Sequence, residues 1–265
     1  MLEKLSLDGR VAVVTGGGGG LGTAMCLALA KAGADIVVTD FRVEDGERTT
    51  AKVVAAGRRA VLFPADVTKS DQVNDMITKA INQWGKVDIL INCAGIVREG
   101  VLKPFWEISD FEWHRGIDTN LTSTFYCSRA IAKHMADRQY GKIINIASGF
   151  GMRGRRGSFT YTVSKAGVIL FTMSLALTLA QYGVKVNAIA PGLFQTLGSK
   201  ERYDALTPFI PMGRAGQPSE IGALAVYLAS DASDYATGEV FSIDGGALFS
   251  GYAPIDYIPV IPLNK

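Results

Sequence analysis

Short apolar runs rich in β-branched residues recur along the chain, and each is followed by a small, polar or turn-forming residue. Seven of these runs predict β-strands, at residues 10–15, 34–39, 59–63, 87–91, 142–147, 184–189 and 239–243. Longer stretches of helical periodicity or continuous apolar character lie between strands, among them residues 21–28, 110–136 and 161–181. Because strands and helices alternate, the pattern predicts an α/β fold with a parallel sheet and helices on both faces.

Size and composition are those of one globular α/β domain. The 265 residues are 48% hydrophobic and 20% charged, and 27 Lys+Arg against 25 Asp+Glu leave a formal charge of +2. Because no long basic run is present, we expect no nucleic-acid partner. Three cysteines are spaced like neither a disulfide framework nor a metal site, which predicts a cytoplasmic protein without a metal.

The beginning of the chain predicts no targeting segment, and its end predicts an arm outside the main domain. The first ten residues contain no apolar core, and the most apolar later run, residues 168–180, is too short to span a bilayer, so we expect no membrane partner. We assign residues 1–250 to a single domain. Residues 251–265 combine three prolines with many apolar side chains, which predicts an extended arm lying on a surface.

Five consecutive glycines follow the first predicted strand and precede an apolar helix. The spacing is T-G-x-x-x-G-x-G across Thr15, Gly16, Gly20 and Gly22. Glycines let the backbone approach a pyrophosphate, and the free N–H groups and positive end of a helix face the anion. A flexible surface turn is the alternative, but the position between strand and helix favours a dinucleotide site.

Acidic residues end the next two strands. Asp40 can accept hydrogen bonds from the adenosine ribose hydroxyls and would repel a 2′-phosphate. Since the glycine turn contains no Lys or Arg, NAD is preferred over NADP, with Arg42 as the residue that leaves the choice open. Asp66 is placed to meet an adenine amino group, and a plain turn carboxylate is the alternative interpretation of Asp40.

Residues 148–165 carry the candidate chemistry. Tyr161 and Lys165 are four apart, so on a helix both side chains leave the same face. A neighbouring ammonium favours a phenolate, which predicts a lowered pKa for Tyr161 and a group able to take a proton from an alcohol. Ser148 follows a predicted strand at the edge where open α/β sheets bind ligands. An ordinary amphipathic helix would contain the same residue types.

The predicted helix over residues 110–136 contains Asn120 near its middle. Asparagine competes with the helix backbone for hydrogen bonds, so Asn120 predicts a local distortion with a functional use. His114 and His134 lie on the same stretch. Neither has a partner pattern typical of a metal site or a triad, so both are expected to be solvated helix residues.

Taken together, the chain resembles the short-chain dehydrogenase/reductase family over about residues 5–250. The motifs that carry the resemblance are the turn from Thr15 to Gly22, Asp66, residues 92–95, Asn120, Ser148, Tyr161 with Lys165, and Pro191 and Gly192 with Thr196. The resemblance implies a single Rossmann-type, doubly wound parallel sheet of about seven strands, flanked by helices on both faces. It also implies a homotetramer.

The resemblance assigns roles to these positions. Tyr161 is the implied general acid/base, and Lys165 lowers its pKa and holds the nicotinamide ribose. Ser148 polarises the substrate oxygen, Asn120 anchors a proton-relay water, and Thr196 contacts the nicotinamide carboxamide. The other implied cofactor contacts are Gly16, Gly20, Leu21, Gly22, Asp40, Asp66, Val67, Asn92, Ala94, Gly95, Pro191 and Gly192. Cys93 departs from the family, which often has asparagine there.

The resemblance implies an NAD-dependent oxidoreductase that transfers a hydride between a secondary alcohol and the nicotinamide. The substrate is expected to be a sugar, sugar acid or polyol, with Arg98, Arg153 and Phe194 as candidate contacts. Two alternatives stay open, a 3-oxoacyl thioester reductase and a catalytically silent NAD-binding regulatory protein. The arginines of residues 153–156 either bind an anionic substrate or solvate a surface loop.

Overall fold

The computed structural model describes residues 2–97, 103–196 and 200–249. These residues form one seven-stranded sheet in which every neighbouring pair is parallel. The strand order is β3-β2-β1-β4-β5-β6-β7. The strands are β1 Val11–Thr15, β2 Asp35–Thr39, β3 Ala60–Leu62, β4 Ile89–Asn92, β5 Gly141–Ile146, β6 Val184–Pro191 and β7 Val240–Ile243. The predicted doubly wound Rossmann-type sheet is confirmed.

Helices cover both faces of the sheet. They are α1 Gly20–Lys31, α2 Val43–Ala55, α3 Ser70–Trp84, α4 Asp110–Ile117, α5 Ser123–Asp137, α6 Phe159–Leu179, α7 Lys200–Leu206 and α8 Pro218–Ala229. Alternate residues of a strand point to opposite faces. Ala12 and Val14 of β1 accordingly join the core under α1 and α8, whereas Val11 and Val13 join the core under α3 and α5. Burial on both faces explains why the strands are continuous apolar runs.

The chain reverses its winding direction at β1. This strand pairs with β2 on one side and with β4 on the other. The chain therefore continues outward from β2 to β3 in one direction and from β4 to β5 in the opposite direction. The hydroxyl of Thr15, the last residue of β1, accepts hydrogen bonds from the backbone N–H groups of Cys93 (3.2 Å) and Ala94 (3.3 Å). A crevice at such a switch point is where open α/β sheets bind ligands.

The predicted helix over residues 110–136 is two helices. α4 begins with a capping box between Ser109 and Glu112. Residues Asp118–Thr122 then form one turn of π-helix before α5 starts at Ser123. Asn120 lies inside that turn, so the predicted distortion at this asparagine is present. π-Turns of this kind are frequent at functional sites.

α6 is longer than the apolar run that predicted no membrane span. With the turn that follows it, Phe159–Tyr182 has the length and composition of a membrane-crossing helix. The sequence argument from residues 168–180 alone was therefore wrong about length. In the structure the helix packs on the sheet, with Val168, Ala176 and Leu179 buried in its cores, and core helices of this kind meet the same criterion. The absence of a membrane partner stays a prediction.

His134 is not the solvated residue that the sequence predicts. Its Nε2 accepts a hydrogen bond from the backbone N–H of Val87 (3.2 Å), at the start of the segment that leads into β4. Burial, followed by the charge of Arg138, lowers the pKa of His134. A neutral His134 therefore ties α5 to the amino edge of the sheet, whereas His114 is exposed as expected. Residues 250–265, and with them the predicted arm and domain boundary, lie outside the described residues.

Candidate active site

The glycine turn after β1 approaches its neighbours too closely for side chains. Gly16 has φ 63°, and a Cβ there would lie 2.8 Å from the backbone of Ala94. A Cβ on Gly20 would lie 2.7 Å from Cβ of Thr196. The turn therefore joins the ends of β1, β4 and β6 in one place, which brings together three of the predicted cofactor segments.

The start of α1 fits a phosphate group. Its N-cap, Gly19, has no side chain to accept from the first-turn N–H groups, and no acidic residue lies in that turn. Unpaired N–H groups and the positive end of the helix dipole attract an anion. Gly20, Leu21 and Gly22 begin this helix, so all three predicted positions surround the anion site. The cradle fits a dinucleotide pyrophosphate.

Asp40 is turned onto the glycine turn. Its carboxylate, 8% exposed, accepts from the N–H of Gly18 (2.9 Å) and from that of Arg42 (2.9 Å). The guanidinium of Arg42 pairs with Asp45 through Nε (2.7 Å). Asp45 itself lies against the turn, since a Cβ on Gly18 would be 2.7 Å from Cβ of Asp45. The carboxylate of Asp40 and the side-chain stem of Asp45 thus both lie at the glycine turn.

Sequence reasoning missed Asp45. The available signal is its helical spacing from two cations, Arg42 three residues before and Arg48 three residues after, both of which form ion pairs with it. Because Asp45 engages Arg42, the residue that left the cofactor choice open has a carboxylate partner. The pairing weakens the case for Arg42 as a phosphate ligand.

The other predicted cofactor residues lie along the same edge. Asp66 accepts from the N–H (3.0 Å) and hydroxyl (2.7 Å) of Thr68, so a turn holds its carboxylate after β3. Val67 is buried beside it. Pro191 ends β6, and the N–H of Gly192 donates to the carbonyl of Ile243 (3.0 Å). Their contacts with a cofactor stay predictions.

Asn92 differs from the others because its side chain points into the core. Its Nδ2 donates to Oδ1 of Asn145 (2.8 Å) and to the hydroxyl of Ser128 (3.1 Å). Asn145 in turn donates to Thr172 of α6 (2.9 Å). This buried chain links β4, β5, α5 and α6. The side-chain oxygen of Asn92 is buried without a partner among the described residues, and the predicted cofactor contact of Asn92 stays a prediction.

Ser148 and Tyr161 meet above the end of β5. Ser148 is buried, and its hydroxyl accepts from the N–H of Phe150 (3.2 Å). Burial raises the pKa of Tyr161, and the neighbouring hydroxyl of Ser148 and the charge of Arg155 act in the opposite direction. The sequence-based prediction that Lys165 lowers this pKa was wrong for the protein as described, because burial outweighs the charges near the phenol.

Lys165 is held one helical turn away. Its Nζ donates to the carbonyl of Ile146 (2.6 Å) and lies 5.8 Å from the centroid of the Tyr161 ring. The residue is 5% exposed, and burial lowers its pKa to about 8. Cys93 lies close enough for Lys165 to act on its thiol, yet burial raises the pKa of Cys93 to about 12. The ammonium therefore has no anionic partner among the described residues.

Asn120 completes the group. Its amide accepts from the N–H of Ile96 (2.8 Å) and donates to the carbonyl of the same residue (3.0 Å). Gly95 packs too closely against Asn120 for a side chain of its own, because a Cβ there would lie 2.8 Å from Oδ1 of Asn120; it would also lie 3.6 Å from Nζ of Lys165. The π-turn thus brings Asn120 close to the same glycine as Lys165.

The three candidate substrate residues are placed differently. Arg98 lies outside the described residues. Phe194 is 7% exposed and packs against the core, with its ring against Gly216, and its predicted contact with the substrate stays a prediction. Arg153 and Arg155 lie over the ring of Phe150, at 5.8 and 4.7 Å from its centroid. Arg155 is the arginine whose charge reaches Tyr161.

Comparison with known proteins identifies the family. The family model described as enoyl-(acyl carrier protein) reductase matches residues 17–247. The chain is 39% identical to a 2-dehydro-3-deoxy-D-gluconate 5-dehydrogenase of Escherichia coli, over 94% of this chain and 99% of that protein. The chain belongs to the short-chain dehydrogenase/reductase family. Members of this family are oxidoreductases that use a nicotinamide cofactor.

Two other relatives of this short-chain dehydrogenase/reductase show its range. A 3-oxoacyl-[acyl-carrier-protein] reductase of Synechocystis is 38% identical over 91% of this chain and 98% of that protein. The solved structure of a candidate gluconate dehydrogenase from Agrobacterium tumefaciens superposes with a TM-score of 0.87 at 37% identity, over 93% and 98% of the two chains. Sequence similarity alone therefore does not distinguish a sugar-acid dehydrogenase from an acyl-carrier-protein reductase.

Lys165→Met tests the burial of the lysine. With its pKa lowered from 10.5 to about 8, charged Lys165 costs the fold roughly 3 kcal/mol below pH 8. The lost hydrogen bond to Ile146 offsets part of this, so we expect the variant to be about 1 kcal/mol more stable at pH 7. Between pH 8 and 10.5 the unfolded chain binds more protons, so the wild type gains stability and the advantage disappears.

Denaturant unfolding at a series of pH values measures this difference. Lys185→Met is the matched control, because Lys185 also donates to a carbonyl, that of Gly183 (3.1 Å), but from a half-exposed position. A Lys165→Met variant that is less stable than the wild type at pH 7, with a difference independent of pH, would contradict the account.

Proposed function

We propose that the protein transfers a hydride reversibly between a secondary alcohol and NAD, with Tyr161 moving the proton of the alcohol. The observation that carries this is the placement of Tyr161 and Ser148 above the end of β5, on the edge where the glycine turn begins α1. The nicotinamide supplies the hydride acceptor or donor when it is bound. The protein supplies position, charge and a proton.

Ser148 and Tyr161 hold the substrate oxygen between two hydroxyls. In the direction of reduction, the raised pKa keeps Tyr161 protonated, so it can donate to the carbonyl oxygen as the alcohol forms. In the direction of oxidation, Tyr161 takes the hydroxyl proton as the carbonyl forms. That step needs the phenolate, which the hydrogen bond to Ser148 and the charge of Arg155 favour. Asn120 and Lys165 both lie next to Gly95, and we propose that Asn120 anchors the water that carries the proton onward.

NAD is the proposed cofactor, with NADP disfavoured. Asp40 lies at the glycine turn and, among the described residues, accepts only from backbone N–H groups, so a 2′-phosphate there would face its carboxylate. Arg42 and Arg48 form ion pairs with Asp45, which reduces their availability to a phosphate. Cofactor hydroxyls, by contrast, can donate to the remaining lone pairs of Asp40.

A sugar acid is the proposed substrate class, within the wider set of sugars and polyols. Two of the relatives named above carry gluconate in their names. A 3-oxoacyl thioester reductase is the second candidate, supported by the Synechocystis relative. A catalytically silent NAD-binding protein is disfavoured, because Asn120, Ser148, Tyr161 and Lys165 are all present and gathered at one edge.

A substrate panel tests these alternatives directly. Polyols, aldoses, sugar acids and hydroxyacyl thioesters are offered with NAD, and absorbance of the reduced cofactor is followed. We expect turnover with a sugar acid. Turnover with hydroxyacyl thioesters alone would favour the second candidate, and cofactor binding without any turnover would favour the silent protein.

Tyr161→Phe should reduce turnover at least a thousandfold, because the general acid/base is lost while the ring still fills its place. NADH binding, followed by fluorescence, should stay within a few-fold of the wild type. Tyr182→Phe is the control, since Tyr182 lies beyond α6 and is exposed. Near-normal turnover by Tyr161→Phe would remove this tyrosine from the mechanism.

Asp40→Asn should change the cofactor preference. In the wild type, kcat/KM should favour NAD over NADP by at least about tenfold, or ~1.4 kcal/mol. Removing the charge of Asp40 should bring the kcat/KM values for the two cofactors within a few-fold of each other. The control Glu44→Gln, at an exposed position in the first turn of α2, should leave the preference for NAD unchanged. A wild-type preference for NADP would show that Arg42 outweighs Asp40.

We propose a cytoplasmic homotetramer, in keeping with a family whose members commonly form oligomers. Apolar side chains on α5 and α6 support self-association, since Phe125 and Leu170 are exposed and Leu177 is 83% exposed. A second copy of the chain is the natural cover for such a face. Measurement of the mass in solution tests this, and a monomer would exclude it.

A further inference from the structure

Two guanidinium groups share the ring of Phe150 in the loop between β5 and α6. Arg155 lies 4.7 Å and Arg153 5.8 Å from the ring centroid. Because both contact one ring, the loop holds two positive charges at one aromatic side chain. A cation–π contact is weak at an exposed position and does not neutralise either charge. A bound anion would neutralise them.

Neither arginine pairs with a carboxylate of the described residues. Arginines elsewhere in the chain do so: Arg214 binds Glu220 with both nitrogens (2.7 Å each), and Arg138 binds the buried Asp88 (2.6 Å). Within the described part of the chain, the pair on Phe150 therefore has no carboxylate to neutralise it.

The pair lies at the candidate active site. Phe150 is tied to Ser148 by its backbone N–H (3.2 Å), so the ring that carries the arginines moves with the residue that polarises the substrate. The charge of Arg155 also acts on the hydroxyl of Tyr161. An anionic group on a substrate whose hydroxyl lies at Ser148 and Tyr161 would be within the same region.

Arg156 provides an internal contrast. It is the next residue of the same exposed loop, yet it contacts neither the ring of Phe150 nor the hydroxyl of Tyr161. Solvation of the loop would be served equally by all three arginines. The selective placement of Arg153 and Arg155 favours a binding role for these two.

We propose that Arg155, with Arg153 beside it, binds the carboxylate of an anionic substrate whose hydroxyl is held by Ser148 and Tyr161. This rests on the proposed function and names the residues that select an acid over a neutral sugar. A guanidinium binds a carboxylate through two parallel hydrogen bonds, which fixes the orientation of the substrate as well as its charge.

D-Gluconate and D-gluconamide are the probes, because they differ only in the charged group. The ratio of their kcat/KM values is measured with NAD in the wild type, Arg155→Gln, Arg153→Gln and the control Arg156→Gln. Arg155 also acts on Tyr161, so its loss changes both rates, and the ratio isolates recognition of charge. We expect the wild type to prefer the acid, Arg155→Gln to lower the ratio about ten- to a hundredfold, and Arg153→Gln to lower it less.

The control Arg156→Gln should keep the ratio within about twofold of the wild type. Equal turnover of acid and amide by the wild type, or an unchanged ratio in Arg155→Gln, would overturn the proposal while leaving the oxidoreductase assignment intact.

If neither probe is turned over, a binding measurement tests the carboxylate site separately from the proposed reaction. Saturation-transfer NMR of the NADH complex then compares the two compounds directly. Preferential binding of D-gluconate that is lost in Arg155→Gln supports the carboxylate site even if the proposed reaction fails. Absence of any preference overturns the site.

Discussion

The hydrogen bond from Nζ of Lys165 to the carbonyl of Ile146 is the contact on which the candidate site depends. It fastens α6 to the last residue of β5, and the strand end and the helix face are thereby held in one arrangement. Tyr161, one turn earlier on α6, is placed above Ser148 as a consequence. Farther along α6, the packing of Val168 and the hydrogen bond from Asn145 to Thr172 hold the same helix on the sheet.

This arrangement is costly for the fold. An ammonium is buried without an anionic partner in the described part of the chain, and a phenol is held where its charged form is disfavoured. Burial moves both groups toward their neutral forms. Such placement is typical of functional sites, where groups are kept in states that stability alone would not select. The buried chain from Asn92 through Asn145 to Thr172 supplies rigidity around it.

The sheet and most of the candidate site were predictable from the sequence, because hydrophobic periodicity and motif spacing are local properties. The seven strands, the glycine turn and the distortion at Asn120 follow from residue patterns that act over a few positions. The pKa of Tyr161 could not be predicted in this way, since it depends on how deeply α6 packs. The burial of Phe194 and of the side chain of Asn92 likewise depends on neighbours distant in sequence, such as Gly216 and Ser128. Asp45 was missed because its role appears only when α2 packs against the glycine turn.

The central claim is that burial, and not the nearby lysine, sets the protonation of Tyr161 in the cofactor-free protein. Titration of tyrosinate absorbance, taken as the difference between the wild type and Tyr161→Phe, measures this directly. The account predicts that Tyr161 ionises above pH 10 in the free protein. Ionisation of Tyr161 near neutral pH in the absence of cofactor would contradict it.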